Sequence, residues 1–331
     1  MLFFFICAAF ALFPREVLLG AQNGLCLCID AVIPSLLPFM VVSGCIIKSQ
    51  FSRPLGVMLS KVITPLTGIS SAGCVCFVTG LTGGYGAGAR AVLESYREKL
   101  ISKEEAQRLL PLCNNAGPLF IIGTVGVSFY GSQSVGMGLF LVQIITAIIC
   151  ARLFSGNCKN ECTIKEEWEF YKKNKLSAGE LVVKSSIESG SAIINACVFV
   201  ILFSALLEVL PFGEYKFLGG ILEVTRGCSE MSMIKNSLPF TSAFLAWGGV
   251  SVHLQADALC GGTFNMKRYY LEKIFAAVCA FFIAEVTSAD ISILLATLVI
   301  ISGLFFIWHI LKSVLFQEFS QQPLFRQRRH S

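Results

Sequence analysis

Apolar residues come in long blocks separated by short polar stretches. Seven blocks run over 24–47, 109–131, 134–154, 187–210, 237–262, 269–287 and 291–316. About 20 residues rising ~1.5 Å each cross a hydrocarbon core of ~30 Å, so each block predicts a transmembrane helix. An eighth block, 1–13, is wholly apolar but shorter than a span. Lacking the basic leader and small-residue cleavage site of a signal peptide, it predicts a short or tilted first helix.

Two further stretches are apolar yet rich in glycine and polar residues. SAGCVCFVTGLTGGYGAGAR occupies 71–90, and KFLGGILEVTRGCSEMSMIK occupies 216–235. Unpaired backbone in lipid is costly, so a broken segment at membrane depth must be buried by protein or line a wet cavity. Both stretches therefore predict re-entrant hairpins. A long helix precedes each hairpin and an interrupted span follows it, LCNNAGPLFIIGTVG at 112–126 and FLAWGGVSVHLQAD at 244–257. The order repeats, and with basic loops held inside, the first helix of each half runs in the opposite direction. The predicted class is an all-α membrane protein of about eight transmembrane helices plus two re-entrant hairpins in an inverted repeat, as in many secondary transporters. Its parts are a short N-terminal helix (1–20), a first repeat (21–154), a cytoplasmic loop (155–184), an inverted second repeat (185–288), and a last transmembrane helix with a basic cytoplasmic tail (289–331). An irregular bundle whose glycines only let helices pack closely is the alternative.

Composition strengthens the membrane reading. Hydrophobic residues make up 55% and charged residues 14% of the 331 positions, too few charges to cover a water-soluble surface. The net charge of +5 would suit nucleic acid, but the basic residues lie between apolar blocks and are diluted by glutamates, so the positive-inside tendency accounts for them better. The cluster from Arg90 to Arg108, the loop 159–184, the group Lys267, Arg268 and Lys273, and the tail of Arg326, Arg328 and Arg329 are then cytoplasmic, as are both termini. Of fourteen cysteines, twelve fall in apolar stretches, where thiols act as small hydrophobes. Cys158 and Cys162 have a C-x3-C spacing, but no second pair or neighbouring histidine completes a metal site.

The candidate chemistry lies at the interruptions. Gly83, Gly84, Gly86 and Gly88 lack the Gly-Lys-Ser/Thr of a phosphate loop, and their role is close backbone approach to a solute or a helix. Asn114 and Asn115 carry amides that lipid cannot satisfy, and Gly117 and Pro118 open the helix just after them. That pairing suits a polar solute, although asparagines bonding a neighbouring helix would read the same. In the second half Glu223, Thr225 and Arg226 lie in the hairpin, and His253 and Gln255 follow Gly248 and Gly249 inside a span. Arg226 and His253 could neutralise an anion, or Glu223 could pair with Arg226 as a structural bridge. Asp30, Glu188, Glu208, Asp257 and Glu285 sit mostly near block ends, so no proton carrier stands out among the acids. No HExxH motif or paired aspartates point to a protease, and neither an enzyme nor a cofactor or metal is expected.

Four stretches carry a resemblance: IPSLLPF at 33–39, GLTGGYGAGA at 80–89, CNNAGPLFIIGTVG at 113–126 and WGGVSVHLQ at 247–255. The chain resembles sporulation integral membrane proteins of the YlbJ type, within the wider Gate-domain or nucleoside-recognition membrane proteins. The resemblance implies a multi-pass cell-membrane protein acting in endospore formation, with dipicolinate, a small aromatic dianion, as the suggested solute and nucleosides or ions as alternatives. Expected partners are the lipid bilayer and a small polar or anionic solute, with a homo-oligomer or sporulation membrane proteins beside them. A rival reading is a non-transporting organiser that recruits partners through 155–184.

Overall fold

The computed structural model describes residues 2–154, 163–174, 176–209 and 216–288, whose regular elements are all helices, with no strand among them. Residues 2–284 form one unit, and beyond it only the last turn of one helix is described. The predicted span at 291–316, the basic tail and the Cys158 and Cys162 pair lie outside the described residues.

The N-terminal block forms α1 (Leu2–Leu12), and Pro14, favoured at the first position of a helix, opens α2 (Pro14–Leu27). A π-helical turn at Cys28–Val32 leads straight into α3 (Ile33–Lys48). The first long helix therefore starts ten residues before the block at 24–47 and runs unbroken for 35 residues.

One helix has no counterpart among the sequence expectations. It is α4 (Ser52–Thr67), which ends at Gly68 (φ 76°) and meets α5 (Ser71–Gly83) at an 84° bend. Then come α6 (Ala87–Arg97) and α7 (Lys103–Cys113). The block 109–131 is therefore not one helix: α7 stops at Asn114, and the chain resumes after Pro118 as a π-helix over Leu119–Phe129, in which Tyr130 N donates to the Val125 carbonyl five residues back. The block at 134–154 is α8 (Gln133–Phe154), and the next described element is α9 (Ile164–Asn174). Within the expected loop, α9 is docked on α4: Arg53 lies 3.2 Å from Glu167 and 4.2 Å from the Phe170 ring centre, and Phe51 packs edge-on against Trp168 and Tyr171.

The second half contains α10 (Ala178–Val209), α11 (Lys216–Leu222), α12 (Val224–Ser232), α13 (Leu238–Trp247), α14 (Gly249–Cys260) and α15 (Met266–Ser288). Glu223 separates α11 from α12, and Gly248 separates α13 from α14.

Side-chain burial along α10 identifies the solvent on each side. Ser185, Ser189 and Ser204 are fully buried, whereas Ile187 (70%), Ile194 (64%) and Val198 (55%) are exposed. A helix in water buries its apolar face. This helix buries serines beside apolar residues such as Ile193 and Val200 and still leaves large aliphatic side chains facing outward, the packing of a helix in lipid. Among the described residues three continuous helical stretches, Pro14–Lys48, Gln133–Phe154 and Ala178–Val209, are long and apolar enough to cross a bilayer, and the bent pair α4 and α5 could form a fourth crossing. The protein is a helical membrane protein.

Candidate functional site

The glycine-rich stretch of the first half closes as a hairpin of α5 and α6. Ser70 caps α5 by accepting the Gly73 amide proton at 3.0 Å. Gly80 and Gly88 let the two arms and the end of α7 touch backbone to backbone. A Cβ on Gly88 would lie 2.7 Å from the Gly80 Cα and closer still to the Cys113 carbonyl. The tip turns at Gly84 and Gly86, each at φ 81°, a conformation that glycine adopts without strain. Gly83 closes α5 against Ser43 of α3.

Asn114 holds this tip. Its Oδ1 accepts the Gly86 amide proton at 2.9 Å, and its Nδ2 donates to Tyr269 Oη at 2.6 Å. Its own carbonyl is free because the residue four positions on is Pro118, which has no N–H to give. Lys273 supplies the missing donor from α15, with Nζ 2.9 Å from that oxygen. Gly117 packs against the Gly84 backbone, which sets the helix break beside the hairpin tip.

The second half repeats the device with other residues. Gly220 and Gly227 bring α11 and α12 into backbone contact. At their junction Glu223 is extended (φ −142°, ψ 120°), and its carboxylate caps α12 by accepting from Thr225 N at 3.0 Å and Arg226 N at 2.7 Å. Gly249 (φ 81°) sits on the backbone of Leu222 to Val224, so here too the helix break lies against the hairpin tip. Losing the cap should cost about 1–2 kcal/mol. Glu223→Ala should therefore melt at lower temperature in detergent while Glu223→Gln loses less, and equal melting of all three proteins would contradict the capping role.

The two devices meet. Tyr85, at the first tip, donates its hydroxyl proton to the Leu245 carbonyl just before the second break, at 2.5 Å, and its ring lies beside Gly248. Around it opens a cavity of about 170 Å3 lined by Tyr85, Gly86, Ser191, Asn195 and Gln255 with Leu36, Met40 and Phe199. A smaller void of about 30 Å3 shares Tyr85 and Gln255 and reaches Glu223, Thr225 and Ser251.

Of the residues expected from sequence, Gln255, Glu223 and Thr225 thus reach the central space, and Gly86 forms part of its wall. Asn114 and Asn115 do not line it. Asn115 donates to the Leu112 carbonyl at 2.5 Å and accepts from Gln143 at 3.0 Å, so both asparagines brace helices. His253 is 2% exposed, with Nδ1 3.2 Å from Tyr269 Oη and its ring against Trp247, while its Nε2 finds no hydrogen-bond partner. Arg226 stands apart from His253. It pairs with Glu208 at 3.0 Å and Glu230 at 2.8 Å, and borders a separate pocket of about 460 Å3 that includes Asn23, Asp30 and Ser229. Glu223 binds backbone amides and forms no ion pair with the Arg226 guanidinium.

Lys273, expected among the cytoplasmic basic residues, is not a solvated loop cation but is 1% exposed. Arg90 is also buried, between Glu94 and Glu188, the latter joined by Lys48 at 2.8 Å. Sequence reasoning passed over Tyr85, Ser191, Asn195, Ser251, Tyr269 and Lys273. Two spacings carried a signal: Ser191 and Asn195, like Tyr269 and Lys273, are four apart and so share a helix face.

The chain is 24% identical over 328 residues to the "Sporulation integral membrane protein YlbJ" of Bacillus subtilis (strain 168), an alignment covering 84% of this chain and 79% of that protein. The resemblance carried by the four sequence stretches is thus matched by similarity over most of the length. No family profile matches the chain, and no solved structure does.

Proposed function

We propose that this protein carries a small polar solute across a membrane in endospore formation, holding it in the cavity between the two hairpin tips. The observation that supports the reading best is the contact of Tyr85 with Leu245, which brings the broken segments of both halves to one polar space. Freed backbone groups meeting at such a place are how inverted-repeat carriers hold their solutes. We read residues 21–154 and 185–288 as those repeats, in a multi-pass chain with both termini cytoplasmic.

The layout along α10 agrees with alternating access. A polar pocket of about 400 Å3 includes Lys184 and Glu188, the central cavity takes 191–199, and the Arg226 pocket includes Ser204. At ~1.5 Å per residue, Glu188 and Ser204 are roughly 24 Å apart along the helix, so the cavity lies between two vestibules.

The lining favours an uncharged solute. Its polar lining residues are Tyr85, Ser191, Asn195 and Gln255, and no lysine, arginine or histidine is among the lining residues. A nucleoside fits this chemistry better than dipicolinate, whose two carboxylates would meet no fixed cation there. The organiser reading rests on 155–184, where Trp168 and Tyr171 of α9 pack on Phe51 at the start of α4. Deleting 155–174 should leave transport intact if the protein is a carrier.

Uptake of labelled nucleosides and dipicolinate into proteoliposomes tests the proposal. Saturable uptake of one solute is expected. Gln255→Ala should raise its KM about tenfold, the loss of one hydrogen bond worth ~1.4 kcal/mol, and Arg226→Ala should change KM by less than about twofold because its side chain faces another pocket. If no solute crosses above the lipid background, the carrier reading is wrong.

A further inference from the structure

We infer that Lys273 is the proton-carrying group that couples solute movement to a proton gradient. The inference deepens the carrier reading and rests on it. Three observations carry it, and the first is burial without a counter-charge. Lys273 lies about two turns inside α15, is 1% exposed, and has no carboxylate within ion-pair distance among the described residues. Its neighbour Glu272 faces Arg268 instead, at 2.5 Å. An ammonium normally has three donors to satisfy. Here only the Asn114 carbonyl receives one. An amine held this way is poised to exist with or without its proton, because what stabilises the charge is one carbonyl at the negative end of α7.

The second observation is position. The accepting oxygen is the one that Pro118 leaves without a helical donor, so the amine closes the break of the first half. Asn114 in turn holds Gly86 at the wall of the solute cavity through 2.9 Å. Gain or loss of the proton on Nζ is therefore felt two bonded contacts from the solute.

The polar network that Asn114 shares with the amine is the third. Asn114 donates to Tyr269, Tyr269 meets His253 at 3.2 Å, and the His253 Nε2, five residues past Gly248, is buried without a hydrogen-bond partner among the described residues. The chain of polar groups thus joins both breaks. The titratable groups that interact with Lys273 are Cys150 of α8 and His253 of α14, and Tyr269 on its own helix shares Asn114 with it. In each cycle one proton binds the neutral amine from one side of the membrane and leaves the ammonium to the other, and no other bond changes.

The test uses full-length protein in proteoliposomes with a pH-sensitive dye inside. The wild type should accumulate solute under an inward proton gradient and acidify the lumen only when solute is present. Lys273→Arg, which keeps charge and donors but does not release a proton, and Lys273→Gln, which keeps a donor, should lose accumulation and solute-dependent acidification at least tenfold. Both should retain solute counterflow, which needs no gradient. A wild type that moves solute without protons overturns the inference and leaves the carrier reading standing. Accumulation preserved in either variant overturns it too, and loss of counterflow in both would mark the amine as structural only. A wild type that moves no solute at all sinks the carrier reading itself.

Discussion

Gly88→Val should leave little folded protein in the membrane. At this position three backbones meet, those of Gly88, Gly80 and Cys113, and a new Cβ would collide with main-chain atoms that have no rotamer in which to escape. Overpacking a core costs about 1–3 kcal/mol when side chains can shift, and the cost here should exceed 3 kcal/mol because α5, α6 and α7 would all have to part. Against a total stability of order 5–15 kcal/mol, that loss removes a large share of the margin. Gly138→Ala is the matched control, since open space surrounds its missing Cβ and alanine favours the helix. Yield and melting temperature in detergent should drop steeply for the first variant and stay near wild type for the second. A Gly88→Val protein that melts normally would mean that the hairpin arms are not in contact.

The next largest effect is expected at Tyr85, and on transport more than on stability. Its ring walls the cavity and its hydroxyl ties the first tip to the second break. Tyr85→Phe keeps the ring and leaves the Leu245 carbonyl unsatisfied, which costs about 1–3 kcal/mol and shifts the balance between the two halves rather than the shape of the site. Tyr85→Ala removes wall and tie together. Uptake at low solute concentration should fall roughly tenfold or more for the phenylalanine variant, each 1.4 kcal/mol being a factor of ten, and to background for the alanine variant. If Tyr85→Ala transports normally, the cavity at the hairpin tips is not the solute site.

Much of this architecture was readable along the chain because its signals are local. Glycine runs at 80–88 and 219–227 announce close backbone contact whatever they contact, and Asn114 with Pro118, or Gly248 with Gly249, announce a broken helix. What escaped depends on partners far away in sequence. The α4 helix carries Arg53, Lys61 and two prolines, which hide it from a search for apolar blocks, and its packing supports it: Gly56 lies on the Ser71 backbone. Lys273 follows Lys267 and Arg268 and so looks like one more cytoplasmic cation. Its partner is a carbonyl 159 positions earlier, freed by a proline whose effect on that oxygen is legible but whose compensation is not. Arg226 stands out in the sequence as a charge inside an apolar stretch, and its pairing with Glu230 four residues on is visible in the spacing. The Glu208 contact, which keeps it away from the central space, is not. The asparagines invited a solute reading because unsatisfied amides and amides bonded to a distant tyrosine or glutamine are the same letters.

The π-wound stretch Leu119–Phe129 gives chain length an unusual meaning at this point. With hydrogen bonds that reach five residues back, it holds one residue more per loop than an ordinary helix would. Deleting a single residue between Leu119 and Phe129 takes this segment part of the way to a regular winding, where the same deletion in α8 would simply break the register. Such a protein would still insert, but Thr124, Ser128 and Phe129 would swing off the pocket they share with Arg226. A one-codon deletion here is therefore a rotation of that wall, obtained without changing the chemistry of any residue left behind.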